Sequence, residues 1–175
     1  MSSSFEKALK TLENKIPEYI KKVGRFQYKN QAFRLVDHYI ASEYKRCDIC
    51  GHKPIKEVFV IQDSHGNTLN VGNICINKIT NQKIAQWFKD VYNRIETLKN
   101  NEYAIRTCEL LLNQKLVSIS AIGRKRLRVM LKRMLDGRKP TKKQAKLLIY
   151  YARKYNDALR ARRAPDWKPY TAGGR

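Results

Sequence analysis

Apolar residues fall into a few periodic blocks along this chain, separated by turn-forming residues. Phe5, Leu9, Leu12 and Ile16 recur at helical spacing, and Pro17 then marks a break or the first turn of a new segment carrying Tyr19, Ile20 and Val23. Gly24 ends it. The pattern predicts a helix whose stripe packs on the rest of the chain. A membrane-surface helix fits less well, because the stripe lacks Trp and the polar face carries Glu6, Glu13 and Glu18. Residues 25–46 are mixed: Phe26-x-Tyr28 alternates as a strand does, Ala32, Leu35, Val36, Tyr39 and Ile40 fit a helix, and Phe33 to Tyr39 would equally feed a strand. The aromatics Phe26, Tyr28, Phe33, Tyr39 and Tyr44 could stack on bases, but at this spacing they read first as core.

Val58-Phe59-Val60-Ile61 is an apolar strand run, Asp63-Ser64-His65-Gly66-Asn67 a turn, and a second short run ends in Val71-Gly72, so residues 58–72 predict a hairpin. Thr80 or Asn81 then caps a helix with the stripe Ile84, Trp87, Phe88, Val91, Ile95 and Leu98. Asn100-Asn101 interrupts it, and Tyr103, Cys108, Leu111 and Leu112 restart it. Ser118 or Ser120 caps the next helix, with Ile122, Leu127, Met130, Leu131 and Met134 inward and Arg124, Lys125, Arg128 and Lys132 toward the opposite side. Gly137 is its stop signal. Pro140-Thr141-x-x-Gln144 is a capping box for a last helix. Its seam is Ala145, Leu148, Ala152, Tyr155 and Leu159; Lys142, Lys143, Lys146, Arg153 and Lys154 are expected at the surface. The two helices predict an αα-hairpin, followed by a tail rich in Arg160, Arg162 and Arg163 that leaves the helix at Pro165 and carries Trp167 and Tyr170.

Charge narrows the choice of partner. Lys and Arg number 37 against 15 Asp and Glu, a net charge of +22 in 175 residues. The excess is uneven. Residues 47–80 hold three basic and three acidic residues, whereas residues 113–175 hold nineteen and three, so most of the excess lies in the last third. A solubilising surface mixes signs; this one selects a polyanion, whose condensed counterions are released when phosphates are neutralised. The expected nucleic-acid contacts are therefore Arg124, Lys125, Arg128, Lys132, Lys142, Lys143, Lys146, Arg153, Lys154, Arg160, Arg162 and Arg163. Lysines dominate the first exposed turn of the last helix, where a groove-reading helix would offer Asn, Gln or Arg, so backbone binding is expected over base reading.

The cysteines add a second signal. Cys47-x-x-Cys50-Gly51 precedes the hairpin and Cys75 opens the helical pattern after it. Two thiolates on a tight knuckle and a third on a helix's first turn can converge on one tetrahedral ion at about 2.3 Å per sulfur. A thioredoxin-type redox pair would open a helix directly, but Gly51 and Pro54 follow here and then a strand. Four cysteines without a signal peptide do not suggest a disulfide framework. The Cys-x-x-Cys-Gly knuckle, hairpin and Gly72-x-x-Cys75 turn resemble the treble-clef group of zinc modules, over about a fifth of the chain. They are also similar to small phage, plasmid and archaeal proteins that join such a module to basic helices. Treble clefs usually take a fourth ligand one helical turn after the third, and Cys75-Ile76-Asn77-Lys78 has none. His52 is the first candidate for that position, with Cys108, His65, His38 or water as alternatives.

The periodicity and the resemblance together predict an α+β, mostly helical fold: a zinc-stapled, treble-clef-like β-hairpin module, as the resemblance implies, with flanking helices and a basic C-terminal helical hairpin. Five segments are expected: an N-terminal helical segment (1–46), the zinc-binding module (47–80), an amphipathic helical spine (81–117), the basic hairpin (118–160) and a basic tail (161–175). No phosphate loop, paired carboxylates or nucleophile–histidine constellation is present, so the expectation is a binding protein and not an enzyme. No stretch approaches the roughly 18 apolar residues of a membrane span, and Met1-Ser2-Ser3-Ser4 leads into a charged helix, which predicts a cytoplasmic protein at the nucleoid or ribosome. Two functions follow: a Zn2+-stabilised protein gripping nucleic-acid phosphates, DNA slightly ahead of structured RNA on the resemblance, or an adaptor in a nucleoprotein or ribosomal assembly whose zinc module docks a protein.

Overall fold

The computed structural model describes residues 3–52 and 54–163, the last by its backbone alone; the tail beyond it, with Trp167 and Tyr170, and the side chain of Arg163 lie outside the described residues. The chain divides into two compact units, Leu9–Ile95 and Met1–Ala8 with Glu96–Arg175. Six helices and a four-stranded antiparallel sheet are present among the described residues.

Helix α1 spans Ser4–Val23 without interruption. Pro17, expected to break it or to start a new segment, sits inside the helix on an exposed position. The backbone carbonyl it leaves unpaired belongs to Glu13, also on the exposed side.

Residues 25–45 form two strands joined by a turn, not part of a helical segment. Strand β1 (Arg25–Tyr28) turns through Lys29 and Asn30, both at positive φ, into β2 (Gln31–Lys45). Two left-handed residues match the twist of a two-residue hairpin. Strands β3 (Ile55–Asp63) and β4 (Thr68–Val71) complete the order β1-β2-β3-β4. A bulge between Leu35 and Asp37 shifts the alternation, so Phe33 and Leu35 face inward before it and His38 after it. Helix α2 (Asn73–Thr80) follows β4. Helix α3 (Ile84–Asn100) has its first turn capped by Asn77, whose side-chain oxygen accepts from the Ala85 amide at 3.0 Å. Thr80 and Asn81 do not serve as that cap. Asn81 instead ends α2 in the left-handed conformation, φ 51°, which Asn tolerates.

The core of the first unit gathers Val23, Phe33, Leu35, Phe59, Ile61, Val71, Ile76, Ile84 and Phe88. Tyr19 stacks on Trp87 at 3.7 Å between ring centroids. Phe33 is 4% exposed and Phe26 and Tyr28 pack beside it, so these aromatics are core, while Tyr44 is open to solvent.

The second unit is built on α4 (Glu102–Asn113), α5 (Ala121–Leu135) and α6 (Lys142–Arg163), with α4 packed on both of the others. Ser120 caps α5 by accepting from the Gly123 amide at 3.1 Å. Gly137, φ 69°, closes α5: its amide reaches Met134 and the Arg138 amide reaches the Arg133 carbonyl at 3.1 Å, a Schellman ending that needs a left-handed residue. The capping box is present in both directions, Thr141 N–H to Gln144 Oε1 at 2.9 Å and Gln144 N–H to Thr141 Oγ1 at 3.3 Å. Leu127, Met130 and Met134 face inward as expected, with Leu148 and Tyr151 from α6. Ile122 does not: it is 65% exposed, and Gly123 holds the inward place beside it. A Cβ on Gly123 would stand 2.5 Å from Tyr151 Oη and 3.0 Å from Ile119 Cγ2, so only glycine lets the two helices approach this closely here.

Candidate metal centre and basic helical face

The segment before β3 folds as a knuckle. The Gly51 amide returns to the Cys47 carbonyl at 2.8 Å, and Gly51 takes φ 71°, which a side chain would strain. The knuckle is tied to β4 by Asp48, whose amide donates to the Asn70 carbonyl at 2.8 Å and whose carboxylate accepts from the Asn70 amide at 2.6 Å. Gly72 then makes the corner into α2; a Cβ there would come within 3.1 Å of Ile55. The corner puts Cys75 in the first turn of α2, where the helix dipole favours an anionic sulfur.

These local choices bring Cys47, Cys50 and Cys75 together, with all three sulfurs within 4.8 Å of one another. Thiolates at about 2.3 Å from one tetrahedral ion stand about 3.8 Å apart, so a small inward movement closes the set. Cys47 is buried, Cys75 partly so, and Cys50 is exposed. Burial raises the Cys47 thiol, but amides of Gly72, Cys50 and Ile49 and the Cys50 side chain donate to its sulfur and hold it below its ordinary value; the Gly72 amide lies 3.4 Å away. Cys75 is pushed up to about 12, by burial first and then by its hydrogen bonds and charge repulsion with Cys50 and Cys47. Such a donor set carries one negative charge readily and needs a cation among the sulfurs to carry three. The residues could hold a metal ion.

None of the other candidate ligands joins this sulfur cluster among the described residues. His52 is exposed, and its backbone carbonyl, not its ring, joins the knuckle, accepting from the Cys47 amide at 3.1 Å. His65 is at the exposed β3–β4 turn beside Asp63. His38 is 5% exposed, with Nε2 3.3 Å from Glu57, Nδ1 3.4 Å from the Tyr92 hydroxyl, and its ring stacked 4.1 Å from Phe88. Nothing in the spacing of the chain pointed to this partly buried Glu57–His38–Tyr92 chain, because the β2 bulge turns His38 inward. Cys108 is sealed between α4 and α5, its thiol donating to the Leu127 carbonyl at 3.3 Å, and burial followed by the Glu109 charge pushes it up to about 12.

On α5 and α6, Lys125, Arg128, Lys132, Lys142, Lys143, Lys146, Arg153, Lys154, Arg160 and Arg162 are all exposed. Arg124 is committed otherwise: half-buried, it donates to the Leu112 carbonyl at 2.9 Å and closes the end of α4. Arg126, Arg133, Arg138 and Lys139, which the helical periodicity had not singled out, are exposed on the same two helices and their connection. Against these cations stand only Asp136 and Asp157 between residues 118 and 162. Among the described residues no helix is long and apolar enough to cross a membrane. No protein-family model, curated protein or solved structure matches the chain.

Proposed function

We propose that this chain is a nucleic-acid-binding protein stabilised by a zinc ion. Cys47, Cys50 and Cys75 would supply three thiolates, and water or the exposed His52 ring turned inward would supply the fourth donor, a closed coordination that serves structure and not hydrolysis. Zinc among these sulfurs would lock the knuckle, β4 and α2 to one another. The polyanion would lie on α5 and α6. The single observation that carries this reading is the one-signed surface of these helices, with at least ten exposed cations against two carboxylates. DNA is the first polyanion to test and structured RNA the second. The experiment replaces Lys142, Lys143 and Lys146 by Gln together in the full chain. Affinity should fall about tenfold or more for every sequence alike, since phosphate contacts carry no base information; undiminished affinity would move the binding surface elsewhere.

A second reading, an adaptor whose zinc module docks a protein, is favoured by Ile40, Tyr44 and Ile74, exposed by 62%, 64% and 66% in the unit that holds the cysteines. Under that reading the isolated chain would bind nucleic acid weakly and gain affinity only with its partner.

A further inference from the structure

Arg25 and Arg34 are direct cross-strand partners in the β1–β2 pair, and both are exposed. Like charges placed opposite one another oppose strand pairing. Neither guanidinium is joined to a carboxylate among the described residues. The row continues across the sheet to Gln62 on β3. Gln62 Oε1 accepts from Arg34 Nη2 at 2.9 Å while its Nε2 donates to the Gly66 carbonyl at 3.2 Å. Arg34 is thus positioned by a neutral amide, which leaves its charge unspent.

The carboxylate of Asp63, which lines the same cleft, is occupied. Asp63 accepts from the Asn67 side chain at 2.9 Å and from the amides of Asn67 and His65 at 2.9 and 2.8 Å, and these bonds, the Asn67 side chain's first, hold it below its ordinary value. It closes its own turn and does not reach either arginine in an ion pair. Between the two arginines and this turn lies a cleft of about 460 Å³, also lined by Ser64, His65 and Gly66.

The geometry points to a phosphate-binding site in this cleft, with the Arg34 fork, held by Gln62, and Arg25 as the two cationic contacts. Planar guanidinium groups pair with phosphate oxygens through parallel N–H donors, and an anion between them removes the repulsion the strand pair otherwise carries. The phosphate belongs either to a nucleic-acid backbone, in which case the site adds a contact in the sheet unit to the function proposed above, or to a free phosphate monoester.

Two arms on the full chain test it. In the first, inorganic phosphate added at fixed ionic strength should raise the melting temperature of the wild type clearly more than that of Arg25→Gln/Arg34→Gln, which keeps only the contribution of the α5 and α6 cations; Arg34→Lys, which keeps charge without the fork, should lose most of the difference. In the second, binding to a short DNA duplex is followed against salt. With the backbone as the source, Arg25→Gln/Arg34→Gln weakens binding about tenfold and flattens the salt slope by about 2; with a monoester as the source, duplex binding is unchanged while the phosphate shift is reduced. Either supports the site. Equal phosphate shifts in wild type and double variant, or none in either, together with unchanged duplex binding, would overturn it. The first arm uses no nucleic acid, so it stands independently if the chain binds none.

Discussion

Replacing Cys47 by Ser is the most informative single perturbation of the metal centre. Cys47 is 1% exposed, and its sulfur receives the Gly72 amide that starts the corner into α2. An ion held at a thousand times its dissociation constant stabilises the folded state by about 4.1 kcal/mol, and removing one of three thiolates forfeits nearly all of it. The serine hydroxyl, in a site this closed and without a metal to bind, adds about 1–3 kcal/mol. The combined loss, about 5–7 kcal/mol, rivals the whole stability of many domains. Urea unfolding with parallel metal analysis separates the two parts. Wild type with chelator should show the first loss alone, Cys47→Ser both losses with zinc content near zero, and chelator should leave the variant's curve unchanged. A Cys47→Ser protein that retains equimolar zinc, or a wild type whose midpoint ignores chelator, would refute the reasoning.

Two further outcomes probe the helical unit. Cys108 is raised from an ordinary 9.0 to about 12, so its stabilising effect is present in full below pH 9 and is lost as pH rises toward 12. Wild-type unfolding free energy should therefore fall more steeply than that of Cys108→Ala above pH 9, by at most about 1.4 kcal/mol per pH unit, and Cys108 should resist alkylation in the native protein at pH 8. Parallel curves for the two proteins would contradict this. Gly123→Ala gains about 1 kcal/mol of helix propensity but forces a Cβ to within 2.5 Å of Tyr151 Oη. Overpacking of about 1–3 kcal/mol should win, and Tyr151→Phe in the same chain should recover part of it; strictly additive single and double variants would argue against the contact.

The helices after residue 81 were legible because their apolar residues keep the 3.6 period over three or more turns and their ends carry recognisable caps: Ser120, Gly137 and the Thr141–Gln144 box all behave as their chemistry requires. Strand β2 was not, because its bulge at Val36 breaks the alternation, and the apolar positions on either side then imitate helical spacing. The cap of α3 was misplaced because Asn77 reaches it from within another helix, a tertiary effect that adjacent residues do not show. Ile122 was expected inside because a branched apolar residue ordinarily outcompetes glycine for burial; the close approach of Tyr151 reverses the order. The three cysteines were readable from spacing alone, since a knuckle and a helix start fix where their sulfurs go. Arg25 and Arg34 were invisible as a pair, since only the hairpin register sets them opposite one another.

The proposed function divides the work between a thiolate cluster that fixes architecture and a cationic helical surface that meets a polyanion. Its most direct test is the affinity of the metal-loaded full chain for a DNA duplex, measured over a series of salt concentrations. A linear fall of log K against log[salt], with a slope corresponding to several phosphates at about 0.9 each and reduced by the Lys142/Lys143/Lys146→Gln variant, is the predicted result. Binding indifferent to salt, or no binding to duplex or structured RNA even at low salt, would contradict it.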